Sequence, residues 1–307
     1  MKQSKKLVLF IIPIVVYIVF IAYSDGMKII YNIVQLKIDL FFVFVGFWSL
    51  AVVFRIIRWH VFMRSITKDI PLIRNVIYYL SGYSMLLSPG RIGEVIKSPF
   101  IKRDYGISVS KTASVIFVER FYDILASITI IGIAISFTTL PKNILVIPIS
   151  MIIIMIIIML NKKLFTKITT RLSGIKIIKN LIPNADESFE VIFGLIKLRF
   201  FLRGTGLTLC AVFCESISVY YLLESLGNKF DFATLTAIFH ISNFLAAASM
   251  IPGGIGILEG GFSGMLILYK IPTDISFSAS ILLRIVATGF FTIIGLVNLR
   301  IISKTTL

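Results

Sequence analysis

Hydrophobic residues form long continuous runs along the chain and do not alternate with polar ones. Such runs match the ~17–25 residues that a helix needs to cross the hydrocarbon core of a bilayer. They predict six membrane-spanning helices, at residues 7–23, 40–63, 113–137, 144–160, 205–226 and 275–299. A transmembrane β-barrel is excluded because its strands would alternate in sidedness.

Two further apolar stretches, 72–87 and 232–251, each run into a glycine-rich loop. The first loop, residues 89–93, reads Pro-Gly-Arg-Ile-Gly, and the second loop, residues 252–256, reads Pro-Gly-Gly-Ile-Gly. Each stretch either crosses the membrane fully or dips in and returns. A helix broken inside hydrocarbon leaves unpaired backbone groups, which are tolerated only in a protein interior or a wet cavity. Tight turns or close helix packing are the alternative explanation.

The distribution of charge favours re-entry of both stretches. The chain is 57% hydrophobic and only 15% charged, and its net charge is +16. Lysines and arginines lie between apolar runs, so the excess indicates membrane orientation and not nucleic-acid binding. If both stretches re-enter, 21 basic residues fall on one side and 5 on the other. We therefore expect a multi-pass protein of the cytoplasmic (inner) membrane with both termini in the cytoplasm.

The matching loops divide one polytopic membrane domain, residues 1–307, into two repeats. The first repeat is predicted at 40–137 and the second at 205–300, joined by an amphipathic cytoplasmic linker at 161–203 that could also serve as a docking site. Since the first loop would enter from the cytoplasm and the second from outside, the repeats have inverted topology. Inverted repeats with broken helices in matching places are typical of transporters, whose site lies at the repeat interface.

Ionisable residues at membrane depth are costly and usually mark a pathway or an ion pair. We expect a buried network around a polar inter-repeat cavity, with Arg91 and Arg120 neutralising Glu119 and Asp123. A purely structural network and a proton relay are the alternatives. Arg55 and Arg58 are expected to snorkel towards the cytoplasm. The candidate substrate-binding residues are Arg91, Glu94, Glu119, Arg120, Asp123, Gly90, Gly93, Gly253, Gly254, Gly256, Glu259 and Arg284.

No catalytic constellation appears in the sequence. It contains no P-loop, no Cys-His or Ser-His-Asp arrangement and no metal-ligand spacing. Cys210 and Cys214 lie in an apolar run and are expected to be packing residues. We therefore expect neither enzymatic activity nor a cofactor or metal.

Three motifs carry a family resemblance that covers nearly the whole chain. Residues 87–94 read LSPGRIGE, residues 118–123 read VERFYD, and residues 251–256 read IPGGIG with Glu259 following. This order resembles the transmembrane region of lysylphosphatidylglycerol synthases and the flippase-like UPF0104-type membrane proteins. The resemblance implies lipid translocation, in some members of lipid-linked sugars. No soluble aminoacyl-transferase domain follows, so lysyl transfer from tRNA is not expected.

The sequence thus predicts a flippase-like translocator whose partners are membrane lipids, either phospholipids or lipid-linked headgroups. A membrane-embedded transferase with Glu94, Glu119 or Asp123 as its base is one alternative. A small-molecule or ion transporter with the same inverted architecture is another.

Overall fold

The computed structural model describes residues 26–172 and 184–304, and within these ranges the chain is helical without strands. Among the described residues, four helices are long and apolar enough to cross a membrane: Ile38–Ile66, Lys142–Leu160, Leu198–Ser225 and Thr273–Lys304. Helix Val109–Ser136 has 28 residues, about 42 Å at 1.5 Å per residue, but carries several charges. The predicted span at 7–23 lies outside the described residues.

The α-helices are numbered here in chain order. They are α1 (Gly26–Val34), α2 (Ile38–Ile66), α3 (Leu72–Gly82), α4 (Lys97–Tyr105), α5 (Val109–Ser136), α6 (Val146–Leu160), α7 (Lys162–Leu172), α8 (Ala185–Leu195), α9 (Leu198–Ser225), α10 (Phe232–Ala248), α11 (Ile257–Leu268), α12 (Thr273–Arg284) and α13 (Phe291–Lys304). Short 3₁₀ segments occupy Tyr83–Met85, Pro89–Ile96, Lys142–Leu145 and Pro252–Gly254, and a π-helical segment occupies Ile285–Phe290.

Helices α2 and α9 form an antiparallel pair at the centre of the bundle. The backbone N–H of Lys37, before α2, donates to the carbonyl of Ser225 at the end of α9, at 2.8 Å. Further along, the Ser218 hydroxyl donates to the carbonyl of Phe44 at 2.7 Å. Helix α9 begins at Leu198, seven residues before the predicted span, because the basic residues before 205 continue the same helix.

Helices α3 and α4 form an antiparallel hairpin, called here the first hairpin, with the first loop at its tip. The Tyr78 hydroxyl on α3 donates to Asp104 near the end of α4. Near the tip, Gly82 lies beside Lys97 at the start of α4. The chain therefore advances along α3, turns through residues 83–96 and returns along α4. At the end of the hairpin opposite the tip, Arg103 on α4 donates to the carbonyl of Ile302 on α13 at 2.8 Å.

Helices α10 and α11 form a second hairpin with the second loop at its tip. The rings of Phe239 and Phe262 lie 6.1 Å apart across it, edge to face. Gly254 in the second loop packs against Ala246 near the end of α10, where a Cβ atom on the glycine would lie 2.7 Å from the alanine Cβ. The second hairpin has the same plan as the first.

The two hairpins begin at opposite ends of the bundle. The first starts beside the end of α2, at Leu72. Since α9 runs antiparallel to α2, it ends at the other end of the bundle, and the second hairpin starts there at Phe232. The tips of both hairpins consequently point towards the interior of the bundle from opposite directions.

The predicted linker contains the short helices α7 and α8. Asn184 caps α8 by accepting a hydrogen bond from the backbone N–H of Glu187 at 3.1 Å. Lys162 on α7 pairs with Asp186 on α8 at 2.8 Å, and this hydrogen bond raises the pKa of Lys162. The position of this linker on the cytoplasmic face stays a prediction.

Close packing of α13 depends on Gly295. A Cβ atom at this position would lie 2.1 Å from the backbone nitrogen of Ser84 and 2.4 Å from the carbonyl carbon of Tyr83. Gly295→Ala should therefore push α13 away from the first hairpin and destabilise the fold by about 1–3 kcal/mol. Unfolding of the variant and of wild type in detergent measures this difference in stability.

Gly264→Ala is the matched control, because nothing lies within 4 Å of a Cβ atom there. That substitution should be neutral or stabilising by up to about 1 kcal/mol, as expected for an open helical glycine. Equal stability of the two variants would contradict the close packing at Gly295.

Candidate functional site

The two loops lie against each other, and several residues at this contact, among them Leu87 and Met250, are exposed. A Cβ atom on Gly90 would lie 2.8 Å from the sulfur of Met250, just before the second loop. Reciprocally, a Cβ atom on Gly253 would lie 2.7 Å from a methyl carbon of Leu87, just before the first loop. Both glycines have φ near +60°, a left-handed conformation that glycine adopts without steric cost. The tips of the two hairpins therefore touch.

Arg91 is the unusual residue of the first loop. Its backbone has φ of +56°, a left-handed conformation uncommon for a side-chain-bearing residue and often found at functional sites. The side chain is exposed, and it forms no ion pair with the described part of the chain. It lies close enough to the buried Tyr83 hydroxyl for a charge interaction. Within the part of the chain that the structure describes, the loop thus presents one exposed positive charge without an ion pair.

A network of buried charges, called here the central network, lies beside the first loop. Its core is Arg58 on α2, whose side chain is fully buried. Arg58 pairs with Asp123 at 2.7 Å and with Glu119 at 3.3 Å, both on α5, and donates to Thr208 on α9 at 2.8 Å. One arginine thus joins three helices.

Arg55, one turn earlier on α2, extends the central network to α9. It pairs with Glu215 at 2.6 Å, and its Nε lies 3.8 Å from Asp123. Asp123 falls at the middle of the 28-residue α5. The central network therefore lies near mid-length of the long helices, where a membrane-spanning bundle is farthest from both water layers.

Arg120 connects the central network to the first hairpin. It pairs with Glu94, at 3.4 Å, and with Asp123, at 3.1 Å. The side chains of Arg120 and Asp123 are 23% and 18% exposed, whereas Glu94 is 1% exposed. Arg120 and Asp123 therefore form the accessible edge of the central network, and Arg120 contacts Glu94, which directly follows the first loop.

Lys97 is buried beside the central network without a carboxylate at ion-pair distance among the described residues. Its ammonium nitrogen lies 3.9 Å from the ring centre of Trp59 and 4.8 Å from that of Tyr79. Cation–π contacts of this kind stabilise a positive charge, most strongly where water is excluded. Lys97 is one of the 21 basic residues that the sequence analysis placed on the cytoplasmic side, and its side chain is buried in the protein.

The second half carries a smaller cluster at the second loop. Arg284 on α12 pairs with Glu259 on α11 at 2.7 Å and donates to the carbonyls of Gly253 at 2.7 Å and Gly254 at 3.5 Å. Glu259 also accepts from the backbone N–H of Gly256 at 2.8 Å, which caps α11. The π-helical segment follows Arg284 directly, and such segments are frequent at functional sites.

Both halves contain the same ion pair in the same relation to their loops. Glu94 pairs with Arg120, and Glu259 pairs with Arg284. In each case a carboxylate just after the loop pairs with an arginine about 25 residues further along the chain, on α5 in the first half and on α12 in the second. The correspondence predicted from the loop sequences therefore extends to the contacts of their side chains.

The structure brings the predicted residues together in two groups. Glu94, Glu119, Arg120 and Asp123 belong to the central network, and Glu259 and Arg284 belong to the second-loop cluster with its glycines. Arg91 is not the partner of Glu119 or Asp123, because Arg58 and Arg120 take that role.

The predicted snorkelling of Arg55 and Arg58 is wrong, since both point into the bundle. Helix α2 continues to Ile66, so Arg58 lies two turns inside the helix end. A count of charges could have indicated their role, because the three carboxylates at membrane depth, Glu119, Asp123 and Glu215, outnumber the two predicted partners, Arg91 and Arg120. Thr208 and Lys97 had no comparable signal in the sequence.

Comparison with known proteins gives a match over nearly the whole chain. The family model of the lysylphosphatidylglycerol synthase transmembrane region matches residues 10–295. A UPF0104 membrane protein of Pyrococcus horikoshii is 22% identical over 95% of both chains. Another, of Methanocaldococcus jannaschii, is 26% identical over 72% of this chain and 94% of its own. The matched residues include both loops, the central network and the second-loop cluster.

Proposed function

We propose that this chain, which belongs to the lysylphosphatidylglycerol synthase transmembrane-region family, translocates lipids across the cytoplasmic membrane. The observation that carries the proposal is the contact between the two loops beside the accessible edge of the central network. The exposed Arg91 lies in the first loop, and the partly exposed Arg120 pairs with Glu94, which directly follows that loop. Two such arginines suit an anionic headgroup, since guanidinium groups bind phosphate in a bidentate manner.

Both hairpins are re-entrant in this proposal, and the two halves are inverted repeats. Three findings support this. Each hairpin returns along itself, the hairpins start at opposite ends of the bundle, and each loop has its carboxylate–arginine pair. With both termini in the cytoplasm, the first hairpin opens towards the cytoplasm and the second towards the outside.

The headgroup would lie between the two loops, with its phosphate at Arg91 and Arg120 and its acyl or prenyl chains left in the bilayer. The conformation described has the loops in contact, so a headgroup passes only when the hairpins separate. Arg284 is already bonded to Glu259 and to two loop carbonyls. We therefore assign it to a later contact with the headgroup, in the second half of the translocation path. The protein moves its lipid without changing it, so it is not an enzyme in this proposal.

The test is reconstitution in liposomes with lipids that carry a fluorescent label on the headgroup. Protein-containing vesicles should expose the inner-leaflet label to an impermeant quencher much faster than protein-free vesicles do. Failure with a panel of anionic, zwitterionic and prenyl-linked lipids would contradict the proposal. Covalent modification of the lipid by a soluble donor would instead support a transferase, and uptake of a soluble anion without lipid exchange would support a small-molecule transporter.

A further inference from the structure

Helix α7 carries an exposed row of basic side chains, called here the basic ridge. Lys163, Lys167 and Arg171 are spaced four residues apart, so they lie along one face of this 11-residue helix. All three are exposed, and none forms an ion pair with the described part of the chain. Thr166 and Thr170 lie beside them on the same surface. The basic ridge therefore combines three cations with two hydroxyl groups.

The basic ridge lowers the stability of the helix that carries it. Like charges four residues apart on a helix repel each other. Lys163 also lies in the first turn of α7, where positive charge opposes the helix dipole and where no acidic residue is present. Its neighbour Lys162 is compensated by Asp186 on α8, at 2.8 Å, whereas the basic ridge has no such partner among the described residues. An anion bound along the basic ridge would remove these penalties.

The opposite face of α7 is covered by protein. Phe165 is 4% exposed, and its ring lies 5.7 Å from that of Phe189 on α8. Helix α8 is bonded in turn to the segment before α5, where the Ser108 hydroxyl donates to Glu187 at 2.6 Å. A helix that lies in the membrane surface would bury its apolar face in lipid instead. Helix α7 therefore meets its surroundings with the basic ridge, and its partner is recognised by charge.

The basic ridge begins close to the end of a membrane-spanning helix. Helix α6 belongs to an apolar span that ends at Leu160, and α7 begins two residues later at Lys162. Asn161 separates the two helices and caps α7 by accepting a hydrogen bond from the backbone N–H of Leu164, at 3.0 Å. Lys163 thus lies at most about 11 Å of chain beyond the end of the span. The negative potential of an anionic leaflet extends about 8–10 Å into solution. The nearest anions to the basic ridge are therefore phospholipid headgroups.

We propose that the basic ridge binds the headgroups of anionic phospholipids in the leaflet next to it. Phosphate oxygens accept hydrogen bonds from ammonium, guanidinium and hydroxyl groups, which are the donors that the basic ridge provides. This inference is independent of lipid translocation, because it concerns lipids at the membrane surface and not the path between the loops. Since α8 joins α7 to the start of α5, the bound lipids would gather at the end of the bundle where α4 leaves the first hairpin.

The test is hydrogen–deuterium exchange of the whole protein in nanodiscs, followed by mass spectrometry of the peptides that cover α7. Nanodiscs of phosphatidylcholine are compared with nanodiscs of phosphatidylcholine mixed with phosphatidylglycerol. Each basic residue near an anionic surface adds a factor of about five in affinity, so the α7 amides should exchange about 10- to 100-fold more slowly in the anionic nanodiscs. High salt should reduce this difference, because it screens exposed charges.

Replacement of the whole basic ridge, by Lys163→Gln, Lys167→Gln and Arg171→Gln together, should abolish the difference between the two kinds of nanodisc. In neutral nanodiscs the same variant should protect α7 at least as well as wild type does, because the repulsion along the helix is removed. This second measurement separates a loss of lipid binding from an unfolded α7, which would exchange fast in both kinds of nanodisc.

The matched control is the combined substitution Lys197→Gln, Arg199→Gln and Arg203→Gln. It removes the same number of exposed basic residues, from the start of α9, and should keep the wild-type difference at α7. Equal exchange of wild-type α7 in both kinds of nanodisc would overturn the proposal, as would an unchanged difference in the basic-ridge variant. Protection by inorganic phosphate or by RNA in neutral nanodiscs, with none from phosphatidylglycerol, would overturn it in favour of a soluble partner.

Discussion

Arg58→Met should lower the free energy of unfolding by about 3–5 kcal/mol, the largest stability loss expected from a single substitution in this protein. Methionine fills similar space but leaves Glu119 without an ion pair in the described structure and deprives Asp123 of its 2.7 Å contact. Thr208 loses its donor as well. Unfolding in mixed micelles with an increasing fraction of dodecyl sulfate, followed by circular dichroism, measures the change.

A double substitution separates the loss of the pair from the loss of packing. Arg58→Met combined with Glu119→Gln removes the stranded charge and should recover part of the stability. Strict additivity of the two single changes would contradict the coupling, because residues in one ion network should show an interaction energy. A loss below about 1 kcal/mol for Arg58→Met would show that the central network is not a structural requirement.

Arg91→Ala should reduce the rate of lipid exchange about 10- to 100-fold while leaving the fold intact. The expected size follows from losing one charged hydrogen-bonding contact to phosphate, about 1.5–3 kcal/mol. The fold should tolerate the change because Arg91 is exposed and has no ion pair among the described residues. Exchange of a headgroup-labelled anionic lipid in proteoliposomes measures the rate, and the unfolding assay checks the fold.

Arg199→Ala is the control for Arg91, since Arg199 is an exposed arginine on α9 outside both loops. It should exchange lipid at the wild-type rate. Arg91→Lys should be intermediate, because lysine keeps the charge but not the bidentate geometry. A wild-type rate of lipid exchange in Arg91→Ala would contradict the assignment of the first loop to the headgroup path.

The sequence was sufficient to predict a helical fold and the two apolar stretches that end in glycine-rich loops. Continuous apolar runs placed α2 and α6 within three residues at each end and the end of α9 within one, and the paired loops located the hairpin tips. These features depend on local composition and on glycine, whose role at positive φ is fixed by its missing side chain. The candidate site residues were likewise chosen for being charged within apolar sequence.

The partners of those charges could not be read from the sequence. Arg58 and Glu119 are 61 residues apart, and Arg55 and Glu215 are 160 apart, so only the antiparallel packing of three helices joins them. The burial of Lys97 depends on two aromatic rings from different helices. Local patterns identify charges that must be neutralised, whereas the choice of partner is set by packing over the whole bundle.

The proposed headgroup site requires two hairpins that enter the membrane from opposite faces, and labelling of single cysteines in sealed vesicles tests this directly. Cys210 and Cys214 are first replaced by alanine. Cysteines are then placed at exposed positions flanking each hairpin, namely Lys68 and Lys102 for the first and Lys229 and Thr273 for the second.

An impermeant maleimide should label positions 68 and 102 from the same face, and positions 229 and 273 only from the opposite face. Labelling of 68 and 102 from different faces would mean that the first hairpin crosses the membrane. The two loops would then not meet as re-entrant tips, and the proposed headgroup site would be contradicted.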